Sequence, residues 1–149
     1  MTSRLQLVVF SLENEQYGID TAQVKEIARM EEITPIPRCP QFIEGVLNLR
    51  GQILPVVCLR KRFALPARTD TSATRIVIVD SQELKVGLIV DAVTEVNDIA
   101  QALVTPAPDL AATSFVSGVC HHGDTLISLL DPVRLFSAEP HVGVSVLGQ

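Results

Sequence analysis

The chain has no tryptophan, one tyrosine and five phenylalanines in 149 residues. So few aromatics leave no platforms on which bases could stack. The core must come from Val, Ile and Leu, which favours strands. Positive charge is short as well: 12 Lys and Arg against 17 Asp and Glu give a net charge of -5. A nucleic-acid binder normally carries a basic face, so no nucleic-acid partner is expected. The three cysteines, Cys39, Cys58 and Cys120, form no C-x-x-C pair and cannot all be bridged within one chain. Reduced thiols in a cytoplasmic protein are the expectation. No apolar run approaches the roughly 20 residues of a membrane-spanning helix. Met1–Arg4 lead straight into a strand pattern without a signal-peptide hydrophobic region, so no direct membrane insertion is expected. The phosphate loop Gly-x-x-x-x-Gly-Lys, the Gly-x-Ser-x-Gly elbow and the His-Glu-x-x-His pair are missing too. The sequence therefore offers no catalytic set and calls for no cofactor.

What is present centres on Phe42–Phe63. Two apolar runs, Val46–Leu49 and Ile53–Leu59, flank Asn48-Leu49-Arg50-Gly51. Gly51 can adopt the positive φ of a tight connection, and β-branched residues dominate the second arm, which predicts a β-hairpin. Pro55 cannot donate to a ladder, so the second arm is expected on an edge or at a bulge. Arg50 stands out as an always-charged donor fork at the hairpin tip.

The sequence also repeats itself. Gly18 and Gly87 lie 69 positions apart, and at that spacing Ile19, Val24, Glu26 and Ile27 meet Leu88, Val93, Glu95 and Val96. Further along, Pro35-Ile36-Pro37 matches Pro106-Ala107-Pro108. Phe42-Ile43-x-Gly45-Val46 matches Phe115-Val116-x-Gly118-Val119 at a spacing of 73, and the hairpin continues in parallel from there. Residues 5–63 and 74–136 thus read as copies of one unit that buries its apolar face against its twin. Each copy reads as strand, turn, strand, a brief helical piece, a longer strand and a hairpin. Asp20-Thr21 is a capping pattern for one or two helical turns over Ala22–Glu26. Short strands punctuated by Gly and Pro predict a mainly β fold of two small barrels, joined by a polar connector at 66–73. The tail 137–149 reads as flexible; the alternation of Val142, Val144, Val146 and Leu147 supports the weaker alternative of an added strand.

Few groups could carry chemistry. Cys120-His121-His122, followed by Asp124, is the best metal candidate, yet neighbours on a strand point to opposite faces and at most two could ligate together. A solvated turn is the plainer reading. Cys58 follows a buried-looking run and reads as a small packed residue. Arg60-Lys61-Arg62 could meet an anionic partner, but at a strand exit a solvated face is preferred. For Arg50 a partner contact is preferred over a local role bracing the turn, because Arg commonly anchors protein interfaces.

The run Gly45-Val-Leu-Asn-Leu-Arg-Gly-Gln-Ile-Leu-Pro-Val-Val-Cys-Leu-Arg60 resembles the signature of the chemotaxis coupling proteins of the CheW family. Tyr17-Gly18-Ile19-Asp20, Val24-x-Glu26-Ile27 and Gly87-Leu-Ile-Val-Asp-x-Val-x-Glu-Val96 share in the resemblance, which covers about residues 5–136. It implies two SH3-like five-stranded β-barrel subdomains with short helices over a shared apolar core. It also implies a stand-alone adaptor between the cytoplasmic tip of a chemoreceptor and the regulatory domain of the histidine kinase CheA, recruited to membrane-associated arrays. Matched to the family's positions, Arg50, Val24, Glu26, Ile76 and Gly87 would line a groove for a receptor helix, the helix-in-groove mode. Gly45 and its neighbours would face the kinase. Two positions depart from the family pattern: Cys58 replaces the usual Asp, and Ala64 stands where Gly is common.

Overall fold

The computed structural model describes residues 4–66, 69–81, 85–100, 103–106 and 115–137. Eleven strands and two short helices are described: β1 (Arg4–Leu12), β2 (Glu15–Asp20), β3 (Val24–Arg29), β4 (Ile43–Leu49), β5 (Gln52–Cys58), α1 (Leu59–Arg62), β6 (Arg75–Asp80), β7 (Lys85–Val90), β8 (Ala92–Ala100), β9 (Thr105–Pro106), β10 (Val116–His122), β11 (Thr125–Leu130) and α2 (Pro132–Ser137). The tail beyond Ser137 lies outside the described residues. The helical piece after Asp20 is shorter than its capping pattern predicts, a single 3-10 turn at Thr21–Gln23. Asp20 Oδ1 accepts from the Ala22 N–H at 2.9 Å as predicted, but β-branched Val24 and Ile27 pass directly into β3.

The strands form two sheets, ordered β8-β1-β2-β11-β10-β9 and β3-β6-β7-β5-β4. Replacing each strand of the second sheet by its sequence twin reproduces the order of the first. The duplication is therefore built by exchange: β1 and β2 join strands of the second half, while β6 and β7 join strands of the first. Four ladders join the halves, the antiparallel pairs β1 with β8 and β6 with β3 and the parallel pairs β2 with β11 and β7 with β5.

Closure of each sheet uses the same device. The chain leaves edge strand β3 and returns to the opposite edge, where Thr34 and Val46 exchange both backbone hydrogen bonds at 2.9 and 2.8 Å. In the twin, Thr105-Pro106 pairs with Gly118 and Val119 of β10. The result is a pair of small SH3-like barrels, and few backbone groups are left on an open edge. It also explains Pro55, which sits on the interior strand β5 and not on an edge as expected. Its partner across the sheet, Val46, spends its backbone groups on Thr34, so this register position needs no N–H from Pro55; the parallel ladder with β7 begins one residue later, at Val56.

Strands β1, β6 and β7 are buried on both faces, which accounts for their continuous apolar runs. Along β6, Ile76 and Ile78 point into their own barrel with Leu47, Leu49, Leu54 and Val56. The alternate residues Val77 and Val79 point into a central core shared with Phe10, Leu12, Ile19 and Leu88. The other barrel is filled by Leu7, Val9, Ile99, Cys120, Ile127 and Leu129. Each fully buried aliphatic contributes about 1.5–3 kcal/mol of transfer free energy, and the central core ties the halves together.

Candidate interaction surfaces

The β4–β5 hairpin closes through Arg50-Gly51 between the paired residues Leu49 and Gln52. Both central residues have positive φ, 51° and 88°. That is the two-residue turn whose twist matches the flanking strands, and Gly51 supplies the second position without steric cost. The Gly51 N–H donates to Asn48 Oδ1 at 3.0 Å, so the Asn-Leu-Arg-Gly spacing builds its own brace.

Arg50 is projected from this tip with its side chain 66% exposed, and it pairs with Glu26 on β3. The sequence-level alternatives for Arg50, local brace or partner contact, are thus not exclusive. Its guanidinium ties the tip to β3 and still presents most of its surface to solvent. Val24, on the same strand, is half-buried against the central core. Arg50 and Glu26 therefore meet at one flank of this barrel, while Val24 packs toward the central core.

Ile76 and Gly87 do not line an open groove. Ile76 is fully buried, and a Cβ on Gly87 would lie 2.8 Å from Ile76 Cγ2. They pack inside the barrel because the even positions of β6 face inward. Ile76 and Ile78 pair across the sheet with Ala28 and Glu26, so they stand beside these residues on the same face and fix the strand that carries Glu26. Gly45 is buried too. It sits at the bulge where Thr34 crosses, with φ 149°, and a Cβ there would come within 2.0 Å of the Thr34 carbonyl oxygen. Its role is to admit the crossing chain, and the solvent-facing groups beside it are Glu44 and Lys61, paired at 2.5 Å.

Of the basic cluster only Lys61 is on a solvated face. Arg60 is 6% exposed and donates to both oxygens of Asp91 at 2.9 Å, with Glu13 at 2.5 Å and the Pro66 carbonyl at 2.6 Å completing its fork. The Glu13 N–H also donates to Asp91 Oδ2 at 2.9 Å, so this network stitches the two halves together. The bond to Asp91 outweighs the cost of burial and raises the Arg60 pKa further, keeping it charged. Lys61 is likewise raised, chiefly by its hydrogen bond to Glu44. Arg62 lies against the rings of Phe42 and Phe115, 5.0 and 5.1 Å from their centroids, and donates to the Leu135 carbonyl at 2.9 Å. Phe63 stacks on Phe115 at 4.7 Å. Nothing local signals this burial, since Glu13 and Asp91 are remote in sequence and read as turn residues.

The Cys-His candidate is separated by the strand alternation. Cys120 is 2% exposed and faces the barrel core, where burial raises its thiol pKa. His121 and His122 are exposed at the end of β10. Among the described residues no three such side chains are placed to share a metal ion.

The family departures have structural readings. Asp131, the twin of Cys58, caps α2 by accepting from the Val133 N–H at 3.1 Å, whereas Cys58 makes no capping bond to α1. Ala64 takes φ 59° after α1, with Ala64 N–H to Lys61 O at 3.1 Å and Leu65 N–H to Arg60 O at 2.7 Å. This is a Schellman end that favours Gly and is completed here by Ala.

The CheW-like domain family matches residues 6–139 of the chain. The chain belongs to the CheW family. It is 35% identical to the chemotaxis protein CheW of Klebsiella aerogenes, covering 90% of this chain and 82% of that one, and 35% identical to that of Treponema pallidum, covering 91% and 84%. Protein FrzA of Myxococcus xanthus is 29% identical over 85% of this chain and 81% of its own. The crystal structure of the scaffolding protein TtCheW from Thermoanaerobacter tengcongensis superposes with a TM-score of 0.83 at 42% identity, covering 90% and 88%. A chemotaxis adaptor of the CheW type accounts for the paired barrels, and no helix among the described residues is long and apolar enough to cross a membrane.

Proposed function

We propose that this chain is a non-catalytic adaptor that couples chemoreceptors to the histidine kinase CheA in signalling arrays. The observation that carries the reading is Arg50, held outward on a preformed turn and oriented by Glu26. A guanidinium fixed in this way meets a partner without first losing its own conformational freedom. The receptor's helical tip lies across the flank where Arg50 and Glu26 meet and reaches half-buried Val24, with Ile76 and Gly87 packed inside the barrel beside it. The kinase regulatory domain takes the end of the same barrel near Gly45, where Glu44 and Lys61 are the accessible groups. Contacts of this kind are individually weak and gain strength from repetition in an array at the membrane.

The test is CheA autophosphorylation in a reconstituted mixture of receptor, kinase and this chain. Wild type is expected to activate the kinase. Arg50→Glu, which repels Glu26 and reverses the charge of the tip, is expected to lose activation while keeping the fold. Failure of wild type with its cognate partners would overturn the adaptor reading.

A further inference from the structure

The β4–β5 turn is strained at one residue. Arg50 takes φ 51°, a left-handed backbone conformation that is disfavoured for any residue carrying a Cβ. The twin hairpin avoids the strain. At the 73-residue spacing Arg50 falls on Gly123, which takes φ 66° without steric cost, and Asn48 falls on His121. Something must therefore hold Arg50 in a conformation that glycine adopts freely. The strand pairing does little, because the last pair, Leu49 with Gln52, stops short of the turn and Gln52 is exposed. Glu26 pairs with the far end of the Arg50 side chain and leaves the backbone of the tip unfixed. Asn48 acts on that backbone directly. Its Oδ1 accepts from the Gly51 N–H at 3.0 Å, and the bond spans Arg50. A backbone N–H can only donate, so the side chain at this position must offer an oxygen at this reach, as Asn and Asp do and Ala does not.

We infer that Asn48, on the adaptor reading proposed above, is a positioning residue for the receptor contact of Arg50. Its task does not require touching the receptor. It raises the fraction of molecules whose Arg50 backbone is already left-handed, and so aims the guanidinium before the partner arrives. Apparent affinity falls with that fraction when the brace is lost. A side chain-to-backbone hydrogen bond shifts such an equilibrium by about threefold to tenfold. The four residues then divide the work. Leu49 is buried and anchors the tip in the barrel, exposed Asn48 braces it, Arg50 meets the partner, and Gly51 supplies the bonded N–H and the second positive φ.

The test compares wild type with Asn48→Ala and Asn48→Asp, first alone and then titrated with a soluble chemoreceptor tip fragment. In the free proteins, nuclear magnetic resonance reads the Arg50 backbone from its Cα and Hα shifts and the Gly51 amide from its exchange rate. Asn48→Ala is expected to move the Arg50 shifts away from left-handed values and to speed Gly51 exchange about threefold or more, with receptor binding weakened by a similar factor. Asn48→Asp keeps the acceptor and is expected to return all three to within about twofold of wild type. Urea unfolding at unchanged slope shows that both variants are folded. Unchanged affinity in Asn48→Ala would overturn the inference, as would an Asn48→Asp that behaves like Asn48→Ala. So would weaker binding with the Arg50 backbone unmoved, because Asn48 would then touch the receptor itself. A wild type that binds no tip fragment would instead sink the adaptor reading, and the shifts of the free proteins would still show whether Asn48 holds Arg50.

Discussion

The two hairpin tips occupy equivalent places in equivalent barrels and carry different chemistry. The β4–β5 tip presents Arg50-Gly51 and is tied to Glu26 on the neighbouring edge strand. Its twin presents Gly123-Asp124, and Glu95, the counterpart of Glu26, hydrogen-bonds Asn97 on its own strand. The register was copied, with two residues at each tip, but the turn itself was not: Arg50 and Gly51 both have positive φ, whereas in the twin only Gly123 does, at 66°. The outward-facing side chains differ as well. A duplicated scaffold can keep its core pattern while one tip becomes an anchor and the other stays plain, because surface substitutions away from packed features change stability little.

The sharpest break in the twin relationship is at Arg60, whose counterpart is Val133. Arg60→Ala is expected to destabilise the fold by about 3–5 kcal/mol, because it breaks the pair that buried Arg60 makes with the largely buried Asp91. Val133→Ala is expected to cost about 1 kcal/mol or less. Urea unfolding midpoints at unchanged slope measure both. Next comes the crossing point. Gly45→Ala places a methyl group against the Thr34 carbonyl in a strained conformation and should cost about 3 kcal/mol or more. Gly118→Ala, whose Cβ would meet the Thr105 oxygen at 3.0 Å, should cost about 1 kcal/mol. Equal costs would show that the two crossings are not distinct.

A smaller effect of opposite sign is expected after α1. Ala64→Gly relieves the left-handed backbone and should stabilise by about 0.5–1 kcal/mol, read as a raised melting temperature. The pH dependence is set by groups whose pKa values rise on folding. Cys120 is raised by burial from 9.0, Tyr17 by burial and then Glu15 from 10.0, and Lys61 by its bond to Glu44 from 10.5. A raised value means stability that is complete below the ordinary pKa and lost as pH climbs through the folded one. Stability contributed by these groups is thus level at neutral pH and declines from about pH 9 upward, as denaturation midpoints in a pH series would show. A loss setting in below pH 8 would implicate other groups.

Much of the fold was legible in the sequence because its signals are local. Glycines, prolines and phenylalanines recur at fixed spacing, and the aliphatic runs mark strands buried on both faces. The exchange of β1 and β2 for β6 and β7 was not legible. Exchanged and unexchanged pairings bury the same faces, and only long-range contacts choose between them. The same holds for Arg60, whose burial depends on partners 31 and 47 positions away. Arg50 and Glu26 could be singled out, but their pairing needed the barrel to bring the tip to β3. Ile76 and Gly87 are packed inside the barrel, which sequence position alone does not reveal because it does not say which face of a doubly buried strand looks inward.

The most direct test titrates a soluble chemoreceptor tip fragment against wild type, Arg50→Glu and Asp124→Lys, with unfolding curves confirming that all three are folded. Weaker binding by about tenfold or more for Arg50→Glu, and unchanged binding for Asp124→Lys, is predicted if the two tips differ as described. Equal affinities for all three folded proteins would contradict it and move the receptor contact off the Arg50 flank.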